Sequence, residues 1–209
     1  MSIIVNGLNK AYGDKHVLEN FSAEIPEGFT CVIGRSGSGK TTLARLLAGL
    51  EKPDSGEISG ISGNVTYMFQ EPRLLPGRSA AENAAAVGNA SSKKNLSEAE
   101  SALKALGFAE EDLKKRPSEL SGGMLTRVSL ARAAVFFAQS GGNLVILDEP
   151  QKGLDEASLR NTAEFIRNRF TPGAAPTGSH VLIITHSSFL CEEFSENPPI
   201  VIGEDAPSA

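Results

Sequence analysis

The sequence predicts an α/β fold with a mainly parallel core sheet, an N-terminal antiparallel β part and an inserted helical sub-domain. Three observations predict it. The runs Asn143-Leu144-Val145-Ile146-Leu147 and His180-Val181-Leu182-Ile183-Ile184 are almost continuously apolar, as parallel strands covered on both faces must be. Helical periodicity lies between the strands, which implies right-handed β-α-β crossovers. The N-terminal stretch instead alternates apolar and polar residues, the pattern of half-buried strands.

Taken in order, Ile3 and Val5 alternate with polar neighbours, and Asn6-Gly7 reads as a turn. Phe21, Ala23 and Ile25 alternate again before a Pro26-Glu27-Gly28 turn. Phe29 to Ile33 is a short apolar strand that stops at a glycine-rich loop. From Thr41 the period changes: Leu43, Leu46, Leu47 and Leu50 share one helix face, and Pro53-Asp54-Ser55-Gly56 ends the unit. Asn64 to Phe69 is a further strand. Residues from about 72 to 138 are mainly helical. Ser97 reads as the cap of a helix that stops at Gly107, and Ser121 precedes a run in which Met124, Val128, Ala131 and Val135 share a face. This stretch is read as the sub-domain within a single 1–209 domain, with an ordinary surface layer of helices as the alternative. Thr171 to Ser179 reads as a Pro/Gly-rich loop, and the tail from Asn197 holds one short apolar piece, Ile200-Val201-Ile202.

Composition narrows the function. A length of 209 residues suits one domain with a sub-domain, against a usual size of roughly 100–200 residues. Twenty Lys+Arg against 25 Asp+Glu give a net charge of −5, which excludes nucleic-acid binding by bulk positive charge. Cys31 and Cys191 make neither a disulfide framework nor a metal-ligand pattern. No apolar run approaches the roughly 20 residues needed to span a bilayer, and the N-terminus lacks the pattern of a signal peptide. The expected location is cytoplasmic, with any membrane role supplied by a partner.

The strongest local signal is Gly34-Arg35-Ser36-Gly37-Ser38-Gly39-Lys40-Thr41, with Thr42 beside it. It follows an apolar strand and opens an amphipathic helix, the context a phosphate loop requires. Its glycines let backbone N–H groups curl around phosphate oxygens, and the helix N-terminus adds its positive dipole end. Lys40 supplies a point charge for the terminal phosphates and Thr41 a hydroxyl for Mg²⁺. The bland reading, a flexible Gly/Ser loop, explains neither flank. Asp148 ends an apolar strand and suits the Mg²⁺ shell; Glu149 is a second acid that suits a general base. Gln70 and His186 also follow strands, so four strand ends deliver these groups to one edge. His16 and His180 receive no functional role.

The order of these motifs resembles the ATP-binding cassette (ABC) ATPases, a family of P-loop NTPases. The deciding piece is Leu120-Ser121-Gly122-Gly123-Met124, similar to the family signature and lying between the Gln70 and Asp148-Glu149 motifs. Tyr12 matches the family's adenine-stacking aromatic, and Gly153-Leu154-Asp155 its turn after the acid pair. The resemblance implies ATP and Mg²⁺ as cofactors and two cassettes sandwiching two ATP molecules head to tail. Ser121, Gly122 and Gly123 would then meet the γ-phosphate held by a neighbouring subunit, and Asp155 would lie across that interface. Gln70 would sense Mg²⁺ and the attacking water, Glu149 would activate that water, and His186 would contact the γ-phosphate. Implied partners are a second ATPase subunit, identical or not, transmembrane permease subunits and a solute-binding protein, with the chain held peripherally at the cytoplasmic face and no nucleic acid bound.

The chain departs from the family pattern at Met124, at Lys152-Gly153 and at Ser187. None of these removes a phosphate, metal or water ligand. Phe69-Gln70-Glu71-Pro72-Arg73-Leu74-Leu75-Pro76 is similar to nitrate/sulfonate/taurine importer cassettes, which carry Trp where this chain has Gly77. The alternatives weighed are a non-transport cassette ATPase, disfavoured by the absence of a heptad run, and an ATP-sensing regulatory subunit, disfavoured by an intact Glu149 and His186. A P-loop kinase leaves the Ser121–Gly123 signature unexplained.

Overall fold

The computed structural model describes residues 1–87, 93–171 and 179–203; most of the Thr171–Ser179 loop lies outside them. Two sheets form the frame. β1 (Ile3–Tyr12) pairs antiparallel with β2 (Lys15–Ile25) and with β4 (Ser55–Ser59), in the order β2-β1-β4. β3 (Gly28–Ile33), β5 (Val65–Met68), β6 (Leu144–Asp148), β7 (His180–Ile184) and β8 (Ile200–Val201) form a parallel sheet ordered β5-β6-β7-β3-β8. The expected fold class holds: a parallel core, an antiparallel N-terminal part and helices.

Period-two alternation divides the core. Val32, Leu144, Ile146, Leu182 and Ile184 face one side, where they meet Leu43, Leu46 and Leu47 of α1 (Lys40–Leu47) and the inner residues Ile3, Val5, Leu8 and Ile25 of the small sheet. Phe29, Cys31, Val145, Leu147, Val181 and Ile183 face the other, under the longer helices. Every residue of β6 and β7 is buried, so both runs are apolar except for Asp148 at the end of one and His180 at the start of the other. Each fully buried Leu or Ile contributes about 1.5–3 kcal/mol.

The helices between β5 and β6 are α2 (Ala80–Ala84), α3 (Lys93–Ala105) and α4 (Gly122–Ser140), which pack on one another. α5 (Glu156–Phe170) links β6 to β7, and α6 (Ser188–Glu193) follows β7. Serine caps recur: Ser121 accepts from Met124 N–H at 3.2 Å, and Ser79 forms a reciprocal capping box with Glu82.

Several local expectations need correction. Asn6-Gly7 does not turn the chain; Gly7 (φ +60°) makes a register irregularity inside β1, between Val5 and Leu8. The Pro53–Gly56 segment is not only a turn, because Ser55 starts β4, an exposed edge strand whose Ser, Gly and Glu hide its pairing with β1. Leu50 lies outside α1 and is 55% exposed, because Gly49 (φ +66°) reverses the chain first. Ser97 is no cap; α3 starts at Lys93, and Asn95 in its first turn donates to Val87 carbonyl at 3.2 Å. The stop at Gly107 is correct: its φ of +83° ends the helix, and Phe108 N–H returns to Leu103 carbonyl at 3.0 Å.

Candidate nucleotide site

The parallel register builds the site. Val32 pairs with Ile184, and Ile184 with Asp148, so three strands finish level. Just beyond that line the chain turns into the phosphate loop, Glu149 and His186. A cleft of about 590 Å³ opens there, lined by the loop residues Gly34, Ser36, Gly37, Gly39, Lys40, Thr41 and Thr42. Tyr12, Gln70, Asp148, Glu149 and His186 complete its predicted wall. Arg35 and Ser38 belong to the loop without lining the cleft; a phosphate loop acts through its backbone N–H groups, so not every side chain needs to face inward.

The loop is curled by necessity. Gly39 precedes α1 with φ of +108°, and a Cβ there would sit 2.9 Å from Val17 Cγ1 and 3.1 Å from its carbonyl oxygen. Only glycine fits both the dihedral and the space. Lys40 Nζ donates to the carbonyls of Gly34 and Arg35, each at 2.7 Å, which holds the ammonium across the loop mouth. The cation is therefore placed where terminal phosphates would meet it.

Asp148 is 2% exposed at the end of β6. Its Oδ2 accepts from Thr41 Oγ1 and from the Tyr67 hydroxyl, both at 3.3 Å. Desolvation raises its pKa, opposed by those two hydrogen bonds. Thr41 hydroxyl, Asp148 carboxylate and the nearby Gln70 form a hard oxygen donor set, which fits Mg²⁺. Among the described residues no cluster of three or more His, Cys, Asp or Glu is placed to hold a metal. Mg²⁺ does not need one, because it keeps waters and substrate phosphates in its shell.

Glu149 stands in the left-handed region, φ +56°, a conformation that costs a non-glycine residue about 1–3 kcal/mol. The twist aims its carboxylate at His186: Nδ1 lies 3.1 Å from Oε1 and 2.9 Å from Oε2. Gln151 Nε2 also donates to Oε2. Tyr12 is 46% exposed; its hydroxyl donates to Glu51, and Lys10 Nζ lies 5.4 Å from its ring centroid.

The remaining predicted residues stand elsewhere. Ser121, Gly122 and Gly123 open α4 and pack on the turn after β6: a Cβ on Gly123 would lie 2.4 Å from Gly153 carbonyl oxygen. Thr126 Oγ1 bridges the carbonyls of Gly122 (3.2 Å) and Lys152 (2.9 Å). Asp155 caps α5 by accepting from Ser158 N–H at 2.8 Å. None of these four lines the cleft. Sequence reasoning missed Lys15, Val17 and Lys152 on the cleft wall, and Tyr67 and Gln151 on its carboxylates. Ser187 caps α6 by accepting from Leu190 N–H at 3.4 Å, which explains a small hydroxyl after His186.

A phosphate loop, a magnesium-type Thr–Asp pair and a carboxylate held by histidine at one sheet edge define a P-loop ATPase. Comparison with known proteins agrees. Residues 18–152 match the family model described as ABC transporter. The chain is 38% identical over 192 residues to the aliphatic sulfonates import ATP-binding protein SsuB 3 of Pseudomonas savastanoi pv. phaseolicola, covering 88% of this chain and 67% of that protein. It is 43% identical over 187 residues to the SsuB protein of Corynebacterium glutamicum, covering 87% and 72%. The dimeric post-hydrolysis structure of the ATP-binding cassette MJ0796 bound to ADP and Pi superposes with a TM-score of 0.80 at 23% identity, covering 96% of this chain and 94% of that one. The chain belongs to the ABC transporter family. It is an ABC ATPase.

Proposed function

We propose that this chain is the ATP-hydrolysing subunit of a membrane importer of the sulfonate type, and that it works as a head-to-tail dimer. The observation that carries the dimer is a separation within one chain: the cleft holds Lys40, Asp148 and Glu149, while the Ser121–Gly123 helix start lies outside it. A helix N-terminus with a hydroxyl cap and two glycines is an anion-binding end without an anion of its own. A second cassette, identical or not, supplies one. The sulfonate assignment follows the names of the relatives.

In this reading Tyr12 stacks on adenine and the loop N–H groups with Lys40 hold the phosphates. Thr41, Asp148 and Gln70 hold Mg²⁺, which when bound neutralises phosphate charge. Glu149 accepts a proton from the attacking water while His186 orients the carboxylate and faces the γ-phosphate. Among the described residues no helix is long and apolar enough to cross a membrane. In this reading the chain attaches through a permease at the cytoplasmic face. An apolar groove of about 370 Å³ between β5 and the helices, lined by Leu50, Val65, Tyr67, Phe69, Ala133 and Phe136, is the seat for a permease helix. It adjoins the Glu71–Arg78 segment, which Arg132 holds through the carbonyls of Pro72 (2.6 Å) and Arg73 (3.0 Å). A solute-binding protein completes the system and chooses the substrate together with the permease.

The test is turnover per chain against protein concentration, alone and with the permease reconstituted in vesicles. Shared sites predict turnover that rises with concentration and rises again with permease. Turnover independent of both contradicts the reading.

A further inference from the structure

One side chain belongs to both the groove and the metal-binding pair. Tyr67 lies on β5, three residues before Gln70. Its ring lines the apolar groove and stacks on Phe69, with centroids 4.3 Å apart and planes 23° from parallel. The Arg73 guanidinium lies 4.3 Å from the Phe69 centroid. At the other end of the ring, the hydroxyl donates to Asp148 Oδ2 at 3.3 Å, the same oxygen that Thr41 Oγ1 reaches at 3.3 Å.

Two donors on one oxygen of a buried carboxylate restrain the position of that oxygen. A phenol is rigid from ring to hydroxyl, so a displacement of the ring in the groove is a displacement at Asp148. We propose that Tyr67 is a positioning residue that ties the apolar groove to the metal-binding carboxylate of Asp148. The inference rests on the reading of the cleft as an ATP–Mg²⁺ site and of the groove as the permease seat. By linkage, whatever fills the groove and moves the ring changes metal affinity, and metal binding changes the groove by the same factor.

The test uses Mn²⁺ in place of Mg²⁺ on the full chain carrying Glu149→Gln, with ATP bound. Electron paramagnetic resonance of free Mn²⁺ gives its dissociation constant, and filtration of the same samples gives ATP retention. Tyr67→Phe keeps the ring and its stack and removes only the hydroxyl. It is expected to weaken Mn²⁺ binding about fivefold, the effect of one hydrogen bond, with metal-free ATP retention unchanged. Phe69→Ala, which removes the ring stacked on Tyr67, is expected to shift Mn²⁺ binding as well, and to add nothing in the Tyr67→Phe background. Wild-type Mn²⁺ affinity in Tyr67→Phe overturns the proposal. So does a Phe69→Ala shift that persists in full without the hydroxyl. Loss of ATP retention in the parent chain defeats the reading of the cleft itself, and the proposal falls with it.

Discussion

The Glu149 carboxylate lies within 2.9 Å of His186 Nδ1, joining the ends of two adjacent parallel strands. The pair exists because β6 and β7 finish level and because Glu149 takes a left-handed backbone that turns its side chain toward β7. Glu149 is sheltered, with 11% of its side chain exposed, whereas 74% of the His186 side chain is open to the cleft. This geometry supports the proposed roles, Glu149 as the base and His186 as its orienting, phosphate-facing partner.

Replacing His186 with Ala therefore leaves the base present but unaimed. Hydrolysis is expected to fall about a hundredfold, within the range for a positioned acid–base group, with ATP retention close to wild type. Steady-state phosphate release beside filter binding checks this. Equal loss of binding and turnover would contradict it.

Gly39→Ala places a methyl group 2.9 Å from Val17 Cγ1 on a backbone with φ of +108°. The loop must open to relieve it. Nucleotide binding is expected to be lost while circular dichroism stays native, because the cost falls on the loop rather than on the core. Equilibrium dialysis with ATP measures it.

Tyr12→Ala removes the exposed ring at the cleft mouth. The ATP dissociation constant is expected to rise about tenfold, the value of one base–aromatic stack, and Tyr12→Phe is expected to restore binding. Titration calorimetry on the three proteins distinguishes stacking from any role of the hydroxyl bonded to Glu51.

Gly122 and Gly123 make a matched pair. A Cβ on Gly123 meets Gly153 carbonyl oxygen at 2.4 Å, whereas one on Gly122 meets nothing within 4 Å. Gly123→Ala is expected to destabilise the fold by about 1–3 kcal/mol. Gly122→Ala is expected to leave the melting temperature unchanged, so any loss of turnover in it reports on the contact with a neighbouring subunit. Thermal denaturation and ATPase rates on both variants decide it.

Asp148 carries a pH dependence whose sign follows from burial. Desolvation raises its pKa in the fold, more than its hydrogen bonds from Tyr67 and Thr41 lower it. The folded state therefore holds this proton more tightly than the unfolded chain, and ionisation costs stability. That cost is absent below the ordinary carboxylate value, about pH 4, and grows as pH rises through the folded value. Asp148→Asn is expected to raise the melting temperature of nucleotide-free protein at neutral pH, with the gain shrinking toward pH 4. A gain independent of pH would contradict this origin.

The legible parts of the molecule were those encoded by local pattern. The buried runs Leu144–Leu147 and Val181–Ile184 are apolar because both their faces are covered, and a contiguous phosphate loop shows its chemistry in its own residues. The strand ends could be assigned to one edge because parallel strands deliver them there. Ser55–Ser59 escaped notice because an exposed edge strand needs no apolar residues to pair. Ser97 looked like a cap because its position inside α3 depends on residues upstream of it. Asn83 is fully buried and wires the loop after β5, donating to the carbonyls of Leu75, Arg78 and Ser79 and accepting from Leu75 N–H at 2.6 Å. Nothing local distinguishes such an asparagine from a surface one. Tyr67 and Gln151 likewise acquire their roles only through a carboxylate from another part of the chain or a twisted turn.

In the proposed dimer one chain's cleft is completed by another chain's Ser121–Gly123. Light scattering of the Glu149→Gln variant, with and without Mg-ATP, reads this completion as a change in mass. The expected result is monomer without nucleotide and dimer with Mg-ATP, a shift abolished by Lys40→Ala. A chain that retains ATP and Mg²⁺ yet stays monomeric at every accessible concentration would contradict it.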